Sequence, residues 1–320
     1  MPLTTTFIRD ITDVRHPINV CSLNEPGNFR FVSATTVSVG ARDRLDETLA
    51  SLDVLDLRTG KRRTLVSWSQ ALIHVPPENS AYSANLMGAY DISADGLSVA
   101  YAMITGPPGT GGIYKAAVFH LSVNGSDRML ATVPPPVNGG EMQVEFAPSG
   151  KYVAFGMLGL TGTKAGAPVQ VWSLDGRLIF SSTGSNSITW GAGDQLYFDD
   201  GTNLMRWSPS GSSSLILAGR WSNPSMSTDR HYVAYCCGAN STIAVVNTAS
   251  GVVTRLPGAN TEPAFLTPTL MFHRYSPHPV IGNGEARVYD VADGTDVASP
   301  IDHVFGTWPR ATPREHALGG

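Results

Sequence analysis

Five polar side chains of this chain stand at one recurring place, close to the start of a β-prone run. They are Glu25 before Pro26, Gln143 before Val144, Asn186 before Ser187, Asn223 before Pro224 and Glu262 before Pro263. Carboxylate and amide oxygens are the ligand set of a hard cation such as Ca²⁺, which takes about six to eight oxygens at roughly 2.3–2.6 Å. The same side chains can also cap backbone groups or hold ordered waters, and spacing alone leaves both uses open. Proton chemistry would come from His74 and His278, which lie in long connections and could act as a general base near neutral pH. Glu262 is a third candidate base where it is not fully used as a ligand. Arg220, Trp221 and Tyr275 lie next to these positions in sequence and suit a planar or anionic ligand at a rim.

Side chains so far apart in sequence can meet only if a repeating architecture brings them together. Six β-rich runs each end in a turn that closes on a glycine: Gly60, Gly125, Gly176, Gly211, Gly251 and Gly294. Their mean separation is about 47 residues, the period of propeller blades. A second landmark recurs inside the repeats, a tight bend followed by an alternating apolar strand. Ala94-Asp95-Gly96 precedes Leu97–Tyr101, Ala147-Pro148-Ser149-Gly150 precedes Lys151–Phe155, and Asp229 precedes His231–Tyr235. Each unit therefore reads as four antiparallel strands, A to D, with the bend between A and B and the glycine turn between C and D. The expected fold class is all-β, a single six-bladed β-propeller. Its blades are expected at about 20–75, 85–137, 141–184, 186–219, 222–258 and 261–300. Segment 1–19 is expected to supply a strand that closes the ring on the last blade, which would remove exposed edges. No window keeps a 3.6-residue apolar period, so no helix is expected.

The bends resemble the Ser-Pro-Asp-Gly repeats of TolB-like six-bladed propellers across about residues 20–300. In such a fold the A strands line a central channel, and the loops entering A share one end with the B–C loops. The polar residues before strand A then converge on the channel mouth. That constellation resembles the calcium-dependent hydrolase propellers of the gluconolactonase, regucalcin and paraoxonase superfamily. The resemblance assigns Glu25 to the family's glutamate, Asn186 and Asn223 to its asparagines, and Glu262 to its acidic ligand. The glycine between Glu and Pro is missing here, and the last ligand is Glu in place of Asp. It implies a metal-dependent hydrolase of small esters, lactones or phosphotriesters with a divalent cation, Ca²⁺, at the mouth. The TolB-like repeats imply instead a non-catalytic module that binds a protein or peptide partner on the same face.

The bulk composition narrows the partners. A net charge of −4 over 320 residues gives no electrostatic reason to expect nucleic acid. No apolar run is long enough to insert in a membrane. The dense basic cluster Arg58, Lys61, Arg62 and Arg63 flanks one turn and reads as a solvated hairpin tip. No leader is visible at the start, so the expected compartment is the cytoplasm, or the periplasm or exterior where a leader has been removed. The three cysteines, with Cys236 and Cys237 adjacent on opposite faces of one strand and Cys21 remote, read as unpaired thiols. His120, His231 and His273 fall in strands and read as packing residues.

Overall fold

The computed structural model describes residues 6–10, 18–23, 29–33, 35–42, 49–67, 84–105, 116–133, 142–157, 169–182, 187–219, 221–236, 242–276 and 284–300. Among these there is no α-helix, only a 3-10 turn at Ala192–Asp194.

A first hairpin, β1 (Thr6–Asp10) and β2 (Ile18–Leu23), forms a two-stranded sheet of its own. The leading segment thus pairs with β2, where the sequence suggested an added strand on the last blade. Six four-stranded sheets follow. The first holds β3 (Phe29–Ser33), β4 (Thr36–Arg42), β5 (Leu49–Asp56) and β6 (Arg62–Ser67). The second holds β7 (Ala84–Ile92), β8 (Ser98–Thr105), β9 (Ala116–Val123) and β10 (Ser126–Val133). The third holds β11 (Met142–Phe146), β12 (Tyr152–Met157), β13 (Val169–Ser173) and β14 (Leu178–Ser182). In the fourth are β15 (Ile188–Trp190), β16 (Leu196–Asp199), β17 (Asn203–Trp207) and β18 (Ser213–Ala218). In the fifth are β19 (Ser222–Met226), β20 (Tyr232–Cys236), β21 (Ala244–Asn247) and β22 (Val253–Arg255). The sixth has β23 (Ala259–Phe265), β24 (Leu270–Ser276), β25 (Glu285–Asp290) and β26 (Asp296–Ala298). In every sheet the strands follow one another in chain order as a meander. Six such sheets and no helix among the described residues define the fold class as the six-bladed β-propeller.

The six turn glycines all have φ between +68° and +92°. An L side chain is disfavoured there, which is why glycine marks each C–D turn. Asp and Asn side chains help to close the turns. Asp56 Oδ1 takes the N–H groups of Arg58 and Thr59 at 2.9 and 3.0 Å, and Asn247 Oδ1 takes those of Ala249 and Ser250 at 3.0 and 2.9 Å.

The chain divides into two compact units. One is Thr35–Arg220; the other joins Met1–Ala34 to Trp221–Gly320. In the Thr35–Arg220 unit the core is aromatic. Phe119 stacks on Phe155 at 4.4 Å, and Phe180 on Trp207 at 5.3 Å. Trp190 and Trp207 are both buried, with Ile188, Leu196 and Phe198 around them. In the other unit the core gathers Ala234, Cys236, Val245, Phe265 and Met271, with a second group around Phe272 and Val288.

The basic hairpin tip is exposed, as the sequence implied, and two of its side chains reach back onto the fold. Arg62 is ion-paired with the buried carboxylate of Asp53, and Arg63 donates to the carbonyl of Gly96 at 3.2 Å. Cys236, wholly buried, is disulfide-bonded, which corrects the reading of unpaired thiols. His120 and His273 are buried as expected, each bonded to an aspartate, His120 Nδ1 to Asp127 at 3.3 Å and His273 Nε2 to Asp296 at 3.1 Å. His231 departs from expectation. It lies in the bend before β20, largely exposed, with Nδ1 3.0 Å from Asp229.

Candidate functional site

Strand pairing gives a direct alignment of the repeats. The last residue of each A strand faces the same point on strand B: Ile92 on Val99, Phe146 on Val153, Trp190 on Leu196, Met226 on Val233 and Phe265 on Met271. The residue three positions earlier is Ala89, Gln143, Ser187, Asn223 or Glu262. Gln143, Asn223 and Glu262 are therefore true equivalents. In the fourth blade the equivalent is Ser187, one residue after Asn186. Asn186, Glu25, His74, His278 and Arg220 lie outside the described residues.

The equivalents are used in two ways. In β11 the pairing with β12 runs without a break, and side chains alternate inward and outward. Gln143 Oε1 accepts the backbone N–H of Ile188 at 2.8 Å, so its amide ties one A strand to the next. Asp91 does the same one blade earlier, taking the N–H of Phe146 at 2.7 Å with Oδ2 and that of Ile92 at 2.8 Å with Oδ1. These contacts are the capping use that the spacing left open.

Asn223 and Glu262 sit in a different backbone. Between Ser222 and Ser225, and again between Thr261 and Ala264, the A strand carries one residue more than its partner. Such a bulge has a local cause. Pro224 and Pro263 have no N–H to give the ladder, so the strand cannot pair regularly there. The residue before each proline turns into the left-handed region, at φ 48° for Asn223 and 58° for Glu262. Asparagine tolerates this conformation, whereas glutamate in it costs about 1–2 kcal/mol. A non-glycine residue held there is a recognised mark of a functional segment.

Asn223 is exposed. The carboxylate of Glu262 is half-buried, and its Oε2 lies 3.5 Å from Nε of Arg274, which is only 14% exposed. Arg274 in turn donates from NH1 to the carbonyl of Gly284 at 3.0 Å. Tyr275 follows Arg274, and the guanidinium of Arg287 stands 5.7 Å above its ring. Glu262 and Arg274 thus form a charged pair on the last blade, while Tyr275, the next residue of β24, faces the other side of the sheet. Trp221 is buried at 6% exposure, so its ring packs inside and does not stand at a rim. Arg274 was missed by the sequence reading. The pairing of Thr261 with Arg274 across β23 and β24, which the structure fixes, is what puts it beside Glu262. Among the described residues no group of three His, Cys, Asp or Glu side chains is close enough to hold one ion.

No family model matches the chain, neither the TolB-like repeats nor the lactonase propellers included, and no curated protein matches it. Solved structures do. A functionally unknown protein from Desulfotomaculum acetoxidans aligns over 90% of this chain and 89% of its own, with 14% identity and a TM-score of 0.50. Prolyl oligopeptidase B from Galerina marginata aligns over 84% of this chain and 41% of its own, with 14% identity and a TM-score of 0.50. A prolyl endopeptidase aligns over 88% of this chain and 49% of its own, at 15% identity and a TM-score of 0.44. At this identity the similarity shows the fold. The chain spans less than half the length of either peptidase.

Proposed function

We propose that the chain is a binding propeller for a peptide or protein segment, and that its ligand is gripped at the Glu262–Arg274 pair. The observation that carries this reading is the pair itself, a half-buried carboxylate and a largely buried guanidinium at a strained Glu-Pro bulge. Such a pair can open towards a ligand that bears both charges. Arg274 would take a ligand carboxylate in a charge-assisted bond, and Glu262 would take an amine or backbone N–H groups. The equivalent Gln143 is occupied by a backbone bond, which restricts the adaptable part of the A-strand ring to the repeats with the bulge.

A second reading, the metal-dependent hydrolase of small esters, lactones or phosphotriesters, is favoured by one observation. Asn223 and Glu262 share a register position and a left-handed backbone, so one kind of bulge presents both oxygen-bearing side chains. A bound divalent cation there would polarise a carbonyl or phosphoryl oxygen. In that case Glu262 must exchange Arg274 for the ion.

The test is a pair of measurements on the same protein. Calorimetric titration with short peptides, each as the free acid and as the amide, should show binding that needs the carboxylate and is lost in Arg274→Met. Equal affinity for acid and amide, or unchanged binding in Arg274→Met, would overturn the binding reading. Turnover of activated esters, lactones or phosphotriesters that requires added Ca²⁺, Mn²⁺ or Zn²⁺ and vanishes with a chelator would establish the hydrolase instead.

A further inference from the structure

The outermost strand of a blade carries backbone N–H and C=O groups with no ladder to join, and such an edge invites a further strand. Five of the six outer strands here are blunted. In the first four blades the outer strand holds one residue more than its partner, at Leu65 in β6, Leu130 in β10, Ile179 in β14 and Ile216 in β18. Such a bulge breaks the even row of groups that an added strand needs. In the sixth blade the Asp290 N–H bonds the Thr295 carbonyl and the Ser299 N–H bonds the Ala286 carbonyl, so the backbone groups of Asp296 and Ala298 face outward. Arg287 takes the outward carbonyl of Asp296 at 2.8 Å, and Pro300 follows two residues after the strand. β22, the outer strand of the fifth blade, has neither device. It pairs with β21 without a break. The Asn247 N–H bonds the Val252 carbonyl at 2.9 Å, and the Leu256 N–H bonds the Ile243 carbonyl at 3.0 Å. Val252, Thr254 and Leu256 therefore spend their backbone groups on β21. The alternation of antiparallel pairing turns those of Val253 and Arg255 to the outer edge, where they have no partner among the described residues. Beside this edge lies a cleft of about 310 Å³, lined among others by Val252 and Thr254 of the edge itself, Tyr232 and Val245 behind it, and Tyr289 and Val291 of the sixth blade. No charged side chain lines it among the described residues. Arg255, on the face of β22 opposite to Thr254, is exposed and has no acidic partner among the described residues.

We infer that the outer edge of β22 is a strand-addition site, which takes an extended segment of a partner protein as a fifth, antiparallel strand of the fifth blade. The N–H and C=O groups of Val253 and Arg255 supply the ladder, and the side chains beside them supply the choice of sequence. Residues directly opposite one another share a face of the sheet. The incoming side chain opposite Thr254 lies over the cleft, whose valines and tyrosine rings call for an apolar one. The incoming side chain opposite Arg255 lies on the other face, where the exposed guanidinium calls for a carboxylate. The segment is therefore an extended run with an acidic residue directly before an apolar one. A second copy of this chain fits worse, since β22 has no carboxylate to set against Arg255. The inference does not rest on the Glu262–Arg274 pair, and its failure leaves that reading untouched.

The test is amide hydrogen exchange on the full chain, read by NMR. The probe is a capped peptide of alternating threonine and valine, with one glutamate directly before its central valine, and the comparison peptide carries glutamine there. At a concentration ten times its Kd, the glutamate peptide should slow exchange at the Val253 and Arg255 N–H groups about tenfold. The Thr254 N–H already bonds β21 and should keep its rate. Val253→Pro removes an outward N–H and leaves the β21 ladder whole, so it should abolish binding. Arg255→Gln should remove the preference for glutamate over glutamine, about threefold in the parent. No protection, protection that does not alternate along β22, or undiminished binding in Val253→Pro would overturn the inference. Should Val253→Pro fail to fold, a glutamate preference that survives in Arg255→Gln overturns it instead. Protection of the same two groups that grows with protein concentration and needs no peptide would give the edge to a second copy and overturn the partner segment. Binding that is lost in Arg274→Met yet kept in Val253→Pro would belong to the Glu262–Arg274 pair and overturn this inference alone.

Discussion

The third and fifth blades use one register position for opposite purposes. Gln143 lies in a strand with unbroken pairing, and its side chain holds the next strand through the Ile188 N–H. Asn223, at the same distance from the end of its strand, lies in a bulge before proline, left-handed and exposed. Glu262 in the sixth blade repeats the second pattern. The lesson is that a repeat position is not a functional position. The side chain at the place is set by the repeat, but the proline after it decides whether its oxygens are spent on the neighbouring backbone or turned outward.

This contrast can be broken by substitution. The largest expected effect is at Asp91, the buried carboxylate that ties β7 to β11. Asp91→Ala should lower stability by about 3 kcal/mol, because it leaves the buried N–H groups of Phe146 and Ile92 without that acceptor. Denaturant unfolding measures it, and a loss no greater than that of a surface substitution would show that the tie is dispensable.

Gln143→Ala comes next, at about 1–2 kcal/mol for the orphaned Ile188 N–H. Asn223→Gly should behave differently. Glycine adopts the left-handed backbone freely, which offsets the greater freedom it gives the unfolded chain, so stability should stay within about 0.5 kcal/mol of the parent. A stability loss at Asn223→Gly equal to that at Gln143→Ala would mean that both positions are structural and erase the distinction.

A smaller effect concerns pH. His273 occupies the place in strand B that Tyr101, Phe155, Phe198 and Tyr235 fill in other blades. Burial lowers its pKa below the ordinary 6.5, against the opposing pull of Asp296. The unfolded chain then binds the proton more readily than the native one. The contribution is intact above pH 6.5 and is lost as pH falls through the lowered native value. His273→Phe should flatten the fall in stability on mild acidification, and an unchanged profile would assign that fall to other groups.

The smallest perturbation is chemical. With Cys236 in an intramolecular disulfide, alkylation of the unfolded, unreduced protein should modify one of its three cysteines. Mass spectrometry reads the result, and three modified cysteines would refute the bond.

The sequence by itself determined the number of repeats, the class of each element and the place of each turn. Positive φ at a C–D turn demands glycine, and alternation of apolar residues demands a strand, so both leave marks that are read locally. It also pointed to Gln143, Asn223 and Glu262 as equivalents, since a repeat keeps its register. The tertiary structure decided what those side chains do. That Glu262 meets Arg274, that Gln143 reaches the Ile188 N–H and that Trp221 is buried all depend on contacts between residues distant along the chain. The same holds for the cleft between Tyr232 and Tyr289, whose walls come from different blades. Local pattern carries the backbone because backbone preference is a property of a few neighbouring residues. Partnership between side chains is a property of packing, and no run of residues encodes it alone.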